Sequence, residues 1–417
     1  MRILHTSDWH LGKPWGYVER LDDMDRHVIP EIIDIAVRER VDLMVIAGDI
    51  FDSFGSQSFD LCAELLTKHL RSLLVNGVNV AITPGNHDHW GMFKLIDASL
   101  KLHPVAGPAR LVVFAEPGQH EFGKLQVFGL PYLSPTNFDR YAAKMGVTFQ
   151  ADTAAMHQSL SYLYERLLQD YIGRRLDGTR PALFIGHFAV AGAKLKASDD
   201  EEASSADFEV NYAYDLSVSH EALLRSDQVP QYNALGHVHI AQQIGDAVAP
   251  TYYSGAPDRL DVGERARRPQ VWLVDLPIRG RVEVRPAYIA TATPFIREHI
   301  SDQAALRALA ESFRAEERSR VLGELTIEVA ADPEFETLRT EALDLFPRLA
   351  KADTVRRPVA QQADFVKLGD TLQYERISNP DRVMAEYFAK NYPTDKRPIL
   401  EEAYATIMNE LYPGGRQ

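Results

Sequence analysis

The 417-residue chain is 45% hydrophobic and 25% charged, with a formal net charge of -14 and a single cysteine. One cysteine excludes an internal disulfide framework, and the acidic balance excludes a protein that coats nucleic acid by bulk attraction. No apolar run approaches the roughly 18 to 20 residues of a membrane span, and the length suits two or three soluble domains.

In chain order, MRILHTSDWH lacks the apolar core of a secretory signal, so a cytoplasmic location is expected. Apolar runs rich in β-branched residues then alternate with longer amphipathic stretches, the mark of an α/β domain. The spacing predicts strands in MRILHTS, VDLMVIAG, VNVAIT, LQVFGLPYL, ALFIGHFAV, YNALGHV, YYSG and VWLVDL. Helices are predicted over residues 22–40, with Asp22 in capping position, and over 56–75, where Cys62 reads as a small buried apolar residue. The acidic run SDDEEASSAD reads as a solvated loop. The Arg-rich stretch 259–285, with Arg265, Arg267 and Arg268 clustered, suits phosphate contact and a solvated surface equally.

A domain boundary is placed at about residue 285. Beyond it come PFIREHI, a helix over 302–318, LGELTIEVA, a helix over 333–351 and ADTVRRPVA, a β-α-β-α-β order that suits a small two-layer α+β unit. The last segment reads as two amphipathic helices, one face carrying Val383, Met384, Tyr387 and Phe388, the other Ile399, Leu400, Tyr404, Ile407 and Leu411. Such a pair suits packing on its own domain or clasping a partner helix.

Ligands of open α/β sheets gather at the carboxyl ends of strands. Five predicted strand ends deliver Asp8 and His10; Asp49; Asn86 and His87; His187; and His237 and His239. In extended chain the i, i+2 spacing of Asp8 and His10 points both side chains the same way, and His237 and His239 repeat it. Each fragment alone is explained by turn chemistry. Together, imidazole nitrogens with carboxylate and amide oxygens make a ligand set for Mn²⁺, Fe²⁺ or Zn²⁺, and a carboxylate bridges two ions readily.

The ordered set DWH, GDIFD, GNHD, GHF and GHVH, over residues 8–239, resembles the calcineurin-like metallophosphoesterases. Within them DWHLGK, the chain length and the domain order are similar to the bacterial SbcD nucleases, relatives of Mre11. The resemblance implies an α/β fold: a calcineurin-like β-sandwich flanked by helices over 1–285, an α+β capping domain over 286–375 and a C-terminal helical pair over 376–417. It implies two divalent ions, expected to be Mn²⁺, one held by Asp8, His10 and His239 and the other by Asn86, His187 and His237, with Asp49 bridging. His87 matches the histidine that faces the scissile phosphate. Asp88 is expected to orient a neighbouring imidazole, and His89 is read as a loop residue. Asp52 stands where archaeal and eukaryotic Mre11 proteins have a histidine, and it is assigned to structural support because a carboxylate donates no proton at neutral pH unless its pKa is raised.

The activity so implied is Mn²⁺-dependent exonuclease action on duplex DNA ends and endonuclease action on single strands, by a cytoplasmic, nucleoid-associated repair complex. A homodimer built from helices at 61–74 and 93–102 is implied, and the terminal helices would bind SbcC, a Rad50-like ATPase. The chain has no G-x-x-x-x-G-K-[ST] loop and is not that ATPase. The alternatives are a small-molecule phosphodiesterase or phosphatase with the same metals, and a DNA-end-binding scaffold with a dispensable metal site, against which the complete ligand set counts.

Overall fold

The computed structural model describes residues 1–52, 59–102, 107–133, 135–147, 153–190, 192–194, 217–218, 230–245, 249–329, 331–352, 354–357 and 398. It forms two compact units, Met1–Arg356 and Arg357–Gln417. The expected terminal helices lie outside the described residues, as do residues 53–58 at the start of the helix predicted over 56–75.

Strands are numbered in chain order. The first sheet takes β1 (Arg2–Thr6), β2 (Leu43–Ala47), β3 (Asn79–Thr83) and β4 (Leu111–Val113). The second takes β5 (Gly118–Phe122), β6 (Leu125–Leu130), β7 (Ala182–His187), β10 (Tyr232–Gly236), β11 (Gln242–Gln243) and β12 (Thr251–Tyr253), while β8 (Ala189–Val190) and β9 (Ser217–Val218) pair separately. The chain then returns to the first sheet as β13 (Gln270–Asp275) and β14 (Glu283–Tyr288). Their orders are β14-β13-β1-β2-β3-β4 and β11-β12-β10-β7-β6-β5. The first sheet therefore runs on to Tyr288, with Pro286 on an edge strand where a missing N–H is tolerated.

Alternation along the strands makes this a sandwich. Ile3, Leu43, Val45, Ala81, Leu183, Ile185 and Ala234, from both sheets, share one buried cluster between them. The opposite faces bury Leu4, Met44 and Ile46 under helices at Ile29–Arg38, Phe59–Val75 and Trp90–Leu102, and Phe128, Phe184 and Leu235 under helices at Pro135–Met145 and Thr153–Leu168. Cys62 is buried in the former layer. The sandwich flanked by helices is the fold the motifs imply. Among the described residues no helix is long and apolar enough to cross a membrane.

Several expected elements break where local chemistry interrupts them. The stretch 22–40 begins at Leu21, passes through a π-helical turn at Met24–Val28 and continues as Ile29–Arg38. Asp22 is not its cap: that position belongs to Arg20, whose guanidinium is drawn away to Asp258 and the Arg259 and Leu260 carbonyls. The stretch 333–351 divides into Asp332–Leu345 and Pro347–Ala352, because Pro347 has no N–H to continue the ladder. The stretch 302–318 divides into Gln303–Glu311, capped by Asp302, and Ala315–Arg318.

A third, all-parallel sheet follows, β15 (Phe295–Ile300), β16 (Leu322–Ile327) and β17 (Val355–Arg356), with its own core around Leu306, Leu325, Leu338 and Phe346. Buried Asp23 ties it to the helical turn at Leu21–Asp23, accepting from Arg320 Nε at 2.9 Å and Arg348 Nη1 at 2.6 Å.

Between the main sheets, fully buried His5 donates from Nε2 to the Leu235 carbonyl at 3.1 Å, so its Nδ1 accepts from the Tyr232 hydroxyl at 3.0 Å. Burial pushes His5 down to about 3 from the ordinary 6.5. The unfolded chain then binds one more proton than the folded chain between these values, so this contribution to stability is intact above pH 6.5 and is lost as pH falls below it, at up to about 1.4 kcal/mol per pH unit. Denaturant midpoints from about pH 7 to 4 should fall less steeply for His5→Gln than for the wild type; equal slopes would remove His5 from the acid response.

Candidate metal centre

β1, β2 and β3 run parallel, as do β7 and β10 in the facing sheet, and their carboxyl ends bring all eight predicted residues to one edge of the sandwich. The local backbone is not the extended chain that the i, i+2 spacing suggested. β1 ends at Thr6, and Asp8, His10, Asp49 and His237 have φ of 54°, 46°, 50° and 99°. The loop after β1 instead hydrogen-bonds along the loop after β2, Asp8 N–H to Gly48 O, His10 N–H to Asp49 O and Leu11 N–H to Ile50 O. Left-handed backbone at non-glycine residues costs about 1–3 kcal/mol each and collects where a site over-determines it.

Glycine lets the two sheets close at this edge. A Cβ on Gly236 would sit 1.8 Å from the Ala47 carbonyl oxygen, and one on Gly85 2.1 Å from Asp49 Oδ1. Gly236→Ala is expected to cost about 1–3 kcal/mol or more in a denaturant titration, since backbone cannot yield as a side chain does. An unchanged midpoint would contradict the packing described.

Hydrogen bonds fix which nitrogen His10 and His187 present. His10 Nδ1 donates to Asp52 Oδ1 at 3.1 Å, leaving the Nε2 lone pair 3.2 Å from His239 Nε2 and 3.8 Å from Asp49 Oδ2. Asp8 accepts from Ser7 Oγ and from the His237 amide at 3.1 Å. Ligand-type atoms of Asp8, His10 and His239 lie within 4.8 Å of one another. Asp49, His187 and His237 form a second such group, and His10, Asp49 and His87 a third, so Asp49 is shared by two of the three. In the second, His187 Nδ1 donates to Ala47 O at 2.7 Å, turning Nε2 to within 3.3 Å of Asp49 Oδ2 and 3.0 Å of Asn86 Oδ1, and His237 Nδ1 lies 2.9 Å from the same amide oxygen.

The charges are strongly interdependent. Burial opposes ionisation of Asp49, but His187 and His10 hold its carboxyl well below the usual range; burial likewise opposes the charged His187, yet Asp49 lifts it to about 9. Burial, then the charge of His187, pushes His237 down to about 4. The His187 nitrogen facing Asp49 thus carries a proton or a cation. Inward lone pairs, a buried carboxylate between two groups, an amide oxygen and no thiol fit divalent ions.

His87 is held differently. Its amide donates to Asp49 Oδ1 at 2.9 Å and its Nδ1 to the Asp52 carbonyl at 2.5 Å, so Nε2 is the free nitrogen of an exposed ring set edge-on to His10. Asp52 Oδ1 also accepts from Lys13 Nζ at 3.2 Å. Burial works against it, but His10 and Lys13 lower the Asp52 pKa, leaving no proton to donate.

Two expectations change. Among the described residues Asp88 orients no imidazole: it accepts from the Gly85, Ile50 and Phe51 amides at 2.9, 3.0 and 3.0 Å, lacing the loops after β2 and β3 together. Burial, then the charge of Asp49, pushes it up to about 6. Nor is the Arg-rich stretch uniformly a surface. Arg267 is 8% exposed and donates to the His239, Ala256 and Asp258 carbonyls, and Arg259 donates to the Arg265, Arg267 and Thr293 carbonyls. Both brace the backbone behind the site.

Two neighbours of the site were not predicted. Tyr132, whose amide bonds Pro84 O, lays its ring within 20° of the His237 plane at 6.4 Å; its place just past β6 is the signal that would have found it. Glu264 lies 3.8 Å from His239 Nδ1, from a turn with no motif to mark it.

The calcineurin-like phosphoesterase family model matches residues 1–241, which include every one of these eight residues. The chain belongs to the calcineurin-like phosphoesterases. This phosphoesterase is 27% identical over 309 residues to the SbcD component of the SbcCD nuclease of Bacillus subtilis (strain 168), covering 71% of this chain and 72% of that protein. It is 25% identical over 279 residues to the SbcD component of the same nuclease of Escherichia coli (strain K12), covering 66% and 64%. Against DNA double-strand break repair protein Mre11 of Aeropyrum pernix it is 26% identical over 308 residues, covering 69% and 62%. The chain thus spans between three fifths and three quarters of these relatives.

Proposed function

We propose that this phosphoesterase is a Mn²⁺-dependent DNA nuclease, an exonuclease on duplex ends and an endonuclease on single strands. The observation that carries the reading is Asp49 set between two groups of ligand atoms, in a chain whose curated relatives are nuclease components. Asp8, His10 and His239 would hold one ion, Asn86, His187 and His237 the other, and Asp49 both. When bound, two divalent ions neutralise a phosphodiester and acidify a water for in-line attack.

The chain's own groups do the rest. Nδ1–H bonds to Asp52 and Ala47 keep the His10 and His187 lone pairs inward. Asp88 holds the loops that present Asp49 and Asn86. His87, anchored at Nδ1, offers Nε2 to the phosphoryl oxygens or the leaving sugar oxygen. The third sheet would belong to a DNA-selecting cap over 286–375, and residues 376–417, whose sequence predicts two amphipathic helices, would bind SbcC. The homodimer would use the helices Phe59–Val75 and Trp90–Leu102, where Leu61 is 58% exposed beside the buried Leu65 and Leu66.

The test is incubation of the purified chain with Mn²⁺ and end-labelled duplex DNA, beside bis-p-nitrophenyl phosphate. Degradation of the DNA supports the nuclease; cleavage of the small ester alone, even with the ATPase partner added, makes this a small-molecule phosphodiesterase.

A further inference from the structure

His10 and His187 are each fixed from behind by an acceptor that takes the Nδ1 proton, a carboxylate for the first and a carbonyl for the second. Behind His239 stands a carboxylate from a residue outside the family's matched segment. Its Nε2 faces His10, and its Nδ1 faces Glu264 Oε1 at 3.8 Å, an ion-pair distance longer than a hydrogen bond. We propose that Glu264 is a positioning residue for His239, setting the ring so that Nε2 serves the ion shared with Asp8 and His10. The inference rests on the metal reading above.

Glu264 is itself firmly held. Oε2 accepts from Arg267 Nη2 at 2.8 Å and from the Leu260 amide at 3.0 Å, which leaves Oε1 for the histidine. Arg267 also donates to the carbonyl of His239 at 3.0 Å and to that of Ala256 at 2.6 Å. One guanidinium therefore joins the backbone of the ligand to the carboxylate behind its ring. The turn that carries Glu264 is closed by Asp261, which accepts from Gly263 N–H at 2.7 Å, and is pinned by Val262, packed with Val18, Phe295 and Leu322. Phe295 and Leu322 open β15 and β16, so Glu264 reaches the site from the side of the third sheet. A carboxylate behind a ligating imidazole fixes its tautomer and rotation and raises its basicity, and losing such a partner typically costs about 10–100-fold in metal affinity.

Glu264 and Arg267 would also pair in a role that only braces the loop. Titration of the metal-free full chain with Mn²⁺, followed by calorimetry and by the electron paramagnetic resonance of free Mn²⁺, separates the two. Glu264→Gln keeps the volume and removes the charge; Glu264→Asp keeps the charge and withdraws it from the ring. The expected result is that both variants weaken one of two ions by about tenfold or more and leave the other at its wild-type affinity. Wild-type affinity for both ions in both variants overturns the inference, as does equal weakening of both ions together with a lowered melting temperature. A wild-type chain that binds no Mn²⁺ overturns the metal reading itself.

Discussion

Asp49→Asn is expected to lose both ions at once and to lower phosphodiester cleavage by roughly 10³-fold, the equivalent of about 4 kcal/mol of transition-state stabilisation withdrawn with the metals. The effect is large because Asp49 faces both ligand groups, 3.8 Å from His10 Nε2 and 3.3 Å from His187 Nε2. Its other oxygen accepts the His87 amide, which an asparagine oxygen also accepts, so the loop keeps its anchor. Metal analysis after dialysis, alongside initial rates on bis-p-nitrophenyl phosphate, checks it. Retention of two ions would remove Asp49 from the bridge.

His87→Ala is expected to show the converse, two ions bound and a rate lower by about 10²–10⁴-fold, the range for one acid or base group. His87 has a ring nitrogen within 4.8 Å of ligand-type atoms of His10 and Asp49, but it is in neither assigned ligand set, so truncation leaves those ligand atoms in place. A kcat loss with KM little changed assigns His87 to the transition state; unchanged kcat would leave it a loop residue.

The eight predicted residues were legible because they stand at the ends of strands that the sequence announces by apolar runs, several of them ending in glycine or proline, as in VIAGD and AITPGNH. Pattern alone does not encode how the ends are held. Asp8 and His10 looked aligned by extended chain, whereas a left-handed loop paired to Gly48, Asp49 and Ile50 aligns them. Asp88 looked like a partner for an imidazole, but three converging amides claim it first. Arg259 and Arg267 looked exposed because charge is usually solvated, and the carbonyls gathered around both, with the Glu264 carboxylate beside Arg267, make burial favourable. The strands β4 and β11 escaped notice because three and two residues are too few to show a period, and β5 because its sequence, GQHEF, is mostly polar and half-exposed. Pro347 did announce the break in its helix, and the periodicity around it hid the signal.

The central claim is a pair of ions sharing Asp49, and crystals of the full chain grown with Mn²⁺ test it most directly through anomalous diffraction at the manganese edge. The account predicts two peaks, one among Asp8, His10 and His239 and one among Asn86, His187 and His237, each within coordination distance of Asp49. A single peak, or two that do not share Asp49, would contradict it.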